Sequence, residues 1–254
     1  MDFFGDTGGR VSPSSFRDDV ELGTGSLHLD LARRVCAEAL GTFFLLLAVV
    51  GSGIMAQTLS PHDVGLQLLE NAAATAGALV GVILMFGVVS GAHFNPVVSA
   101  VDAVLGTTTW RDVAWYVPAQ IAGACSGVMV ANVLYSHPIV TLSHHTRSSW
   151  ALWLSEVAAT VGLLLVINGC VRSGRSNVVP FAVGAWIAGA YFFTSSTSFA
   201  NPAAAIGRCL TNSFAGIAPS SVAGFVISEI VGAVIAVPLI VLFYPSVTPE
   251  VGRE

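Results

Sequence analysis

Two copies of the dipeptide Asn-Pro, in Asn95-Pro96-Val97 and Asn201-Pro202-Ala203, stand 106 positions apart (201 − 95), each between long apolar segments. Asn is a good helix N-cap and Pro is preferred at the first helical position, so each copy can open a helix. The chemistry on offer is hydrogen bonding rather than bond making. Each carboxamide NH2 can donate to the oxygen of a neutral molecule, and each helix start carries about half a positive elementary charge. Three acids, Glu38, Glu156 and Glu229, also fall inside apolar segments, where ionisable residues are functional or paired. The paired reading is preferred here: they accept hydrogen bonds from loop backbone and hold the helix starts in place. His93 reads as a structural histidine bonded to backbone, with a proton switch as the alternative. Cys36, Cys125, Cys170 and Cys209 are scattered without metal-ligand spacing. With no nucleophile–base spacing either, neither an enzyme nor a resident metal or cofactor is expected.

The elements that must position these groups are membrane spans. Hydrophobic residues make up 54% of the 254 residues and charged ones only 10%, against about 25% charged in soluble domains. A span needs about 20 apolar residues, and six segments qualify: 35–56, 66–89, 112–135, 150–171, 178–194 and 222–244. The runs opened by the Asn-Pro pairs, 96–105 and 202–212, are too short to cross. At ~1.5 Å per residue they reach about halfway through the hydrocarbon. The irregular stretches before them, 90–94 and 194–200, are tolerated at membrane depth where their carbonyls line a water-filled path.

Arginine placement orients the chain, because basic residues favour the cytoplasmic side. There is no Lys; with both termini inside, Arg10, Arg17, Arg33, Arg34, Arg111, Arg172, Arg175 and Arg253 are cytoplasmic, leaving Arg147 and Arg208 outside. The halves resemble each other: Glu38 in AEALGTFFLL matches Glu156 in SEVAATVGLLL, and Gln120 in AQIAGA matches Glu229 in SEIVGA. Three spans per half invert the second half relative to the first. The reading is therefore an all-α polytopic membrane protein with six transmembrane helices and two re-entrant half-helices in an inverted 3+3 repeat. Its parts are a cytoplasmic tail 1–32, a first repeat 33–136, an outer loop 137–149, a second repeat 150–245 and a cytoplasmic tail 246–254. The two half-helices meet N-terminus to N-terminus at a midplane of Asn95, Pro96, Val97, Asn201, Pro202 and Ala203, which repels cations. The extra methyls of Val97 would narrow it. The partners are the bilayer, water and small neutral solutes; a net charge of −5 leaves no footprint for nucleic acid.

SGAHFNPV, SFANPA, AEALGTFF, Gln120 and Glu229 together resemble the aquaporin (major intrinsic protein) family over residues 33–245. The resemblance implies a passive channel for water or small uncharged solutes, one pore per subunit, in a homotetramer of the plasma (inner) membrane. It also implies an outer filter, carried over by offset from the Asn-Pro motifs to Thr75, Gly189, Ser198 and Ala204. Water-selective members have an aromatic residue, a His and an Arg at this ring; here Ala204 stands where Arg is usual. Arg208, four residues on, shares its helix face and leans back toward the gap. The alternative for Arg208 is a solvated or paired residue at the mouth.

Small side chains at the filter imply a wide opening for glycerol-like polyols or neutral metalloid hydroxides such as arsenite. The stretch FTSSTSFANPA with its displaced Arg resembles a bacterial aquaglyceroporin-like subgroup found beside arsenic-resistance genes. Two rivals stay open. A secondary transporter would show saturable, gradient-driven uptake, and a structural membrane protein would show negligible permeability.

Overall fold

The computed structural model describes residues 24–245. Among them are eight α-helices: α1 (Thr24–Leu59), α2 (Val64–Ser90), α3 (Pro96–Val104), α4 (Trp110–Leu134), α5 (Trp150–Arg172), α6 (Val179–Phe193), α7 (Pro202–Gly207) and α8 (Pro219–Phe243). Six of these, all but α3 and α7, are long and apolar enough to cross a membrane, α6 together with the 3-10 turn Ser176–Val178 that leads into it. The tail 246–254 and most of the stretch 1–32 lie outside the described residues, as do Arg10, Arg17 and Arg253.

The first helix starts earlier than its apolar run. Residues 24–32, read as tail from their polarity, are the first turns of α1. Arg34 ties this polar end down: its Nε lies 3.0 Å from Asp30 one turn back, and both Nη atoms donate at 3.1 Å to Asp112 on α4. Asp112 in turn sits in the first turn of α4, whose Thr109 cap accepts from its amide at 3.1 Å.

Packing is the same in both halves. In α1 against α4, a Cβ on Gly123 would collide with the Ala39 carbonyl, and one on Gly127 with that of Phe43. In α5 against α8, a Cβ on Gly232, which matches Gly123 in the repeat, would lie 2.8 Å from Thr160 Cβ and 3.0 Å from the Val157 carbonyl. Small residues let helix backbones approach this closely in lipid, where dispersion rather than water exclusion drives association. Each close pair carries one of the buried glutamates, Glu38 on α1 and Glu156 on α5, inward toward a half-helix. Trp110 and Trp115 at one end and Trp150 and Trp153 at the other stay exposed, as interfacial tryptophans do.

The second half-helix is shorter than its apolar run. Helix α7 ends at Gly207, and Arg208–Leu210 tighten into a 3-10 turn. The outer loop receives the carbonyls freed there: Thr141 N donates to Leu210 O and Ser143 N to Cys209 O, both at 3.0 Å. Asn132 Nδ2 adds a second bond to Leu210 O at 3.1 Å.

Candidate functional site

Both Asn residues are N-caps in extended conformation. Asn95 Oδ1 accepts from Val97 N at 3.0 Å; Asn201 Oδ1 accepts from Ala203 N at 3.0 Å and Ala204 N at 3.3 Å. The residues one and three before each Asn have left-handed backbones: Phe94 and Ala92 before the first, Ala200 and Ser198 before the second. This repeated twist aims carbonyls across the midplane. Asn95 Nδ2 donates to Ala200 O at 2.7 Å, and Asn201 Nδ2 donates to Phe94 O at 2.8 Å. One hydrogen of each carboxamide is therefore committed to the opposite loop, and one remains for a passing oxygen. The free-donor expectation is halved.

The three glutamates hold the loops. Glu38 Oε1 accepts from Ser90 Oγ at 2.6 Å and His93 N at 3.0 Å, while its Oε2 accepts from Phe94 N at 2.7 Å and Gln120 Nε2 at 2.8 Å. Glu156 accepts from Phe199 N at 2.9 Å and Ala200 N at 2.7 Å, and Glu229 from Asn201 N at 3.0 Å. All three are fully buried. His93 bonds to side chains rather than backbone: Nδ1 lies 2.9 Å from Ser99 Oγ and Nε2 3.1 Å from Asp102.

A cavity of about 750 Å³ runs past the midplane, lined by His93 and Asp102 toward one end, then Asn95 and Asn201, then Thr75, Tyr191, Ser198, Ala204 and Arg208 toward the other. Leu79, Ile83, Val183 and Ile187 supply apolar wall. Pro96, Val97, Pro202 and Ala203 start their helices but do not line it. Val97 packs in the core with Leu164 and Ala236, so its methyls do not narrow the path; Val98 lines it instead.

At the outer end Gly189 is corrected. It sits on the exposed face of α6, and Tyr191, two residues and about 200° further round the helix, lines the cavity in its stead. The Tyr191 hydroxyl lies 3.1 Å from Thr75 Oγ1. Ser198 Oγ is buried without a hydrogen-bond partner and borders the same space.

Arg208 is 3% exposed and stacks its guanidinium 3.4 Å from the centroid of the Phe199 ring, with Nε donating to the Ala215 carbonyl. Among the described residues, Nε is the only one of its nitrogens bonded to protein. Arg147 of the outer loop lies 5.5 Å from the same ring and donates from Nε to Gly216 O at 3.1 Å. Burial pulls its pKa below the ordinary arginine value. Sequence reasoning missed Tyr191, Phe199 and Asp102. Only Asp102 carried a signal, as a charge within a half-helix.

Comparison with known proteins places this geometry. Residues 26–207 match the model of the family described as major intrinsic protein. The chain is 49% identical over 212 residues to the aquaglyceroporin AqpS of Rhizobium meliloti (strain 1021), covering 84% of this chain and 90% of that protein. It is 30% identical over 187 residues to the probable aquaporin NIP7-1 of Arabidopsis thaliana, covering 71% and 67%. In fold it resembles the X-ray structure of the aquaglyceroporin from Plasmodium falciparum, with a TM-score of 0.66 at 21% identity over 84% of this chain and 99% of that one. Matched along most of its length in sequence and across its half-helices in fold, the chain belongs to the major intrinsic protein family of passive membrane channels for water and small neutral solutes.

Proposed function

We propose that this channel conducts small neutral polyhydroxy solutes along with water, with glycerol-type polyols and trihydroxy metalloids such as arsenous acid as the solute class. The observation that carries the reading is the outer ring of hydroxyls, Thr75, Tyr191 and Ser198, beside Ala204. A hydroxyl both donates and accepts, so it suits successive OH groups on a solute. Ala204 brings only a methyl group to the ring, where an arginine would bring a guanidinium. The name aquaglyceroporin carried by AqpS agrees with a polyol-sized path. The hydroxyl ring does not distinguish carbon-borne from metalloid-borne OH groups, so both stay within the class.

Orientation and assembly belong to the same reading. Arg33, Arg34, Arg111, Arg172 and Arg175 lie at one set of helix ends and Arg147 and Arg208 at the other, which favours cytoplasmic termini in the plasma (inner) membrane. Exposed apolar residues on α2 and α6 that do not line the cavity, such as Leu69, Met85, Phe181 and Phe192, suit subunit contacts in a homotetramer as well as lipid.

Proteoliposomes test the reading by stopped-flow light scattering with glycerol and by elemental analysis of arsenite uptake. Flux should rise linearly with concentration and ignore ion gradients. Saturable, gradient-driven uptake, or permeability equal to empty vesicles, would overturn it. In this reading Arg208, one turn beyond Ala204, is the cation that guards the ring. Arg208→Ala should raise sodium leak about tenfold, equivalent to about 1.4 kcal/mol of barrier, while glycerol flux stays within about twofold. An unchanged leak would remove Arg208 from that role.

A further inference from the structure

The two halves anchor their half-helices with different chemistry at one matched position. In the first half, Gln120 Nε2 donates to Glu38 Oε2 at 2.8 Å, so an amide donor completes the carboxylate's set of bonds. In the second half, the residue at the same place in the repeat is Glu229, three before Gly232 as Gln120 is three before Gly123. An ionised glutamate has no hydrogen to donate. Yet Glu229 and Glu156 hold one short stretch of backbone between them, accepting from the consecutive amides of Phe199, Ala200 and Asn201.

Both acids are fully buried inside membrane spans, and neither forms a salt bridge among the described residues. The nearby cation, Arg208, is committed to the Phe199 ring and the Ala215 carbonyl. Two carboxyls that grip adjacent amides at such a site strongly disfavour being charged together. Their hydrogen bonds say which holds the proton. Each oxygen of Glu156 accepts a backbone N–H, from Phe199 and from Ala200, which favours the ionised form. Glu229 accepts one, from Asn201, on Oε1. Its Oε2 is buried and receives no N–H or O–H donor.

We propose that Glu229 is a positioning residue kept as a neutral carboxylic acid, with its proton on Oε2 donated to the Glu156 carboxylate. It thereby does for the second half-helix what the Gln120 amide does for the first. The shared proton holds three consecutive amides, those of Phe199, Ala200 and Asn201, with one negative charge instead of two. A doubly charged anchor behind the second Asn-Pro would draw cations toward the path that the half-helix ends keep clear of them. This inference rests on the anchoring geometry and not on the choice of solute.

The test compares Glu229→Gln with Glu229→Leu in the full-length protein in liposomes. Glutamine supplies the donor permanently, so Glu229→Gln should keep wild-type thermal stability and water flux within about twofold. Leucine supplies neither donor nor acceptor, so Glu229→Leu should lose both stability and flux. Infrared difference spectroscopy gives a readout that a merely space-filling role would not move. The wild type should show the carbonyl band of a protonated carboxylic acid at neutral pH, shifted in D2O and missing in Glu229→Gln. If Glu229→Gln retains that band, or fails as badly as Glu229→Leu, the assignment is wrong. The band does not depend on which solute the channel carries, so its absence would leave the solute reading intact.

Discussion

Glu38→Ala should abolish water and glycerol flux in liposomes and leave little folded protein. Four donors converge on that carboxylate, from Ser90, His93, Phe94 and Gln120. A hydrogen bond to a charged group contributes about 1.5–3 kcal/mol net, and an unsatisfied polar group in hydrocarbon costs several. Even with strong non-additivity, the loss is comparable with a total stability of about 5–15 kcal/mol. The damage also crosses the midplane. Phe94, whose ring packs on Gly41, offers its carbonyl to Asn201 Nδ2, so releasing the first loop unseats the second Asn as well. Glu38→Gln sharpens the test. Both carboxylate oxygens of Glu38 face donors, so an amide NH2 in either orientation opposes a donor; Glu38→Gln should fail where Glu229→Gln succeeds. Size-exclusion profiles, thermal melts and stopped-flow rates on the same preparations read all of this. Wild-type flux from Glu38→Ala would show that the packing of α3 alone holds the loop.

The features legible in sequence were those written in single residue types at fixed spacing. Asn-Pro caps both helix starts here, and apolar length dictates a span, so both half-helix starts and the spans were placed within a few residues, except that α1 begins eleven residues before its apolar run and α7 ends five residues before 212. The buried acids were recognisable because hydrocarbon leaves an ionisable group few other uses than partnership. What sequence hid were facts of rotation and crossing. Gly189 was found by counting residues back from Asn201, but the intervening stretch 194–200 includes three left-handed residues, Thr197, Ser198 and Ala200, so a count along it does not carry the phase of α6. A slip of two residues on a helix reverses the face, which is how Tyr191 rather than Gly189 reaches the cavity. Val97 failed for a similar reason: the motif names the residue but not which wall its side chain joins. The crossed bonds from each Asn to the opposite loop needed both halves assembled before either carbonyl could be located. His93, in the loop before α3, folds back along the helix to meet Asp102 near its far end, and only the side-chain geometry shows it.

Ala204→Arg should turn the pore from a polyol path toward a water path. Ala204 is 8% exposed, lines the cavity, and stands one helical turn before Arg208, whose amide bonds back to the Ala204 carbonyl. A guanidinium added there enters the space bounded by the Tyr191 and Ser198 hydroxyls, where it both narrows the passage and offers donors that favour a small acceptor. Glycerol flux should fall more than about tenfold, a barrier increase above about 1.4 kcal/mol, while water flux falls less, so the water-to-glycerol ratio rises. The substitution also sets two cations one turn apart on the same face, an arrangement that costs some tenths of a kcal/mol even on an exposed helix and more where water is scarce. The double variant Ala204→Arg with Arg208→Ala removes that repulsion. It should keep the raised water-to-glycerol ratio and regain thermal stability relative to Ala204→Arg alone. Both variants are read by stopped-flow light scattering against the two solutes in matched vesicles. An unchanged ratio would mean that the hydroxyl ring does not set solute size, and the narrowing would then have to lie at the other end of the cavity, beside His93 and Asp102.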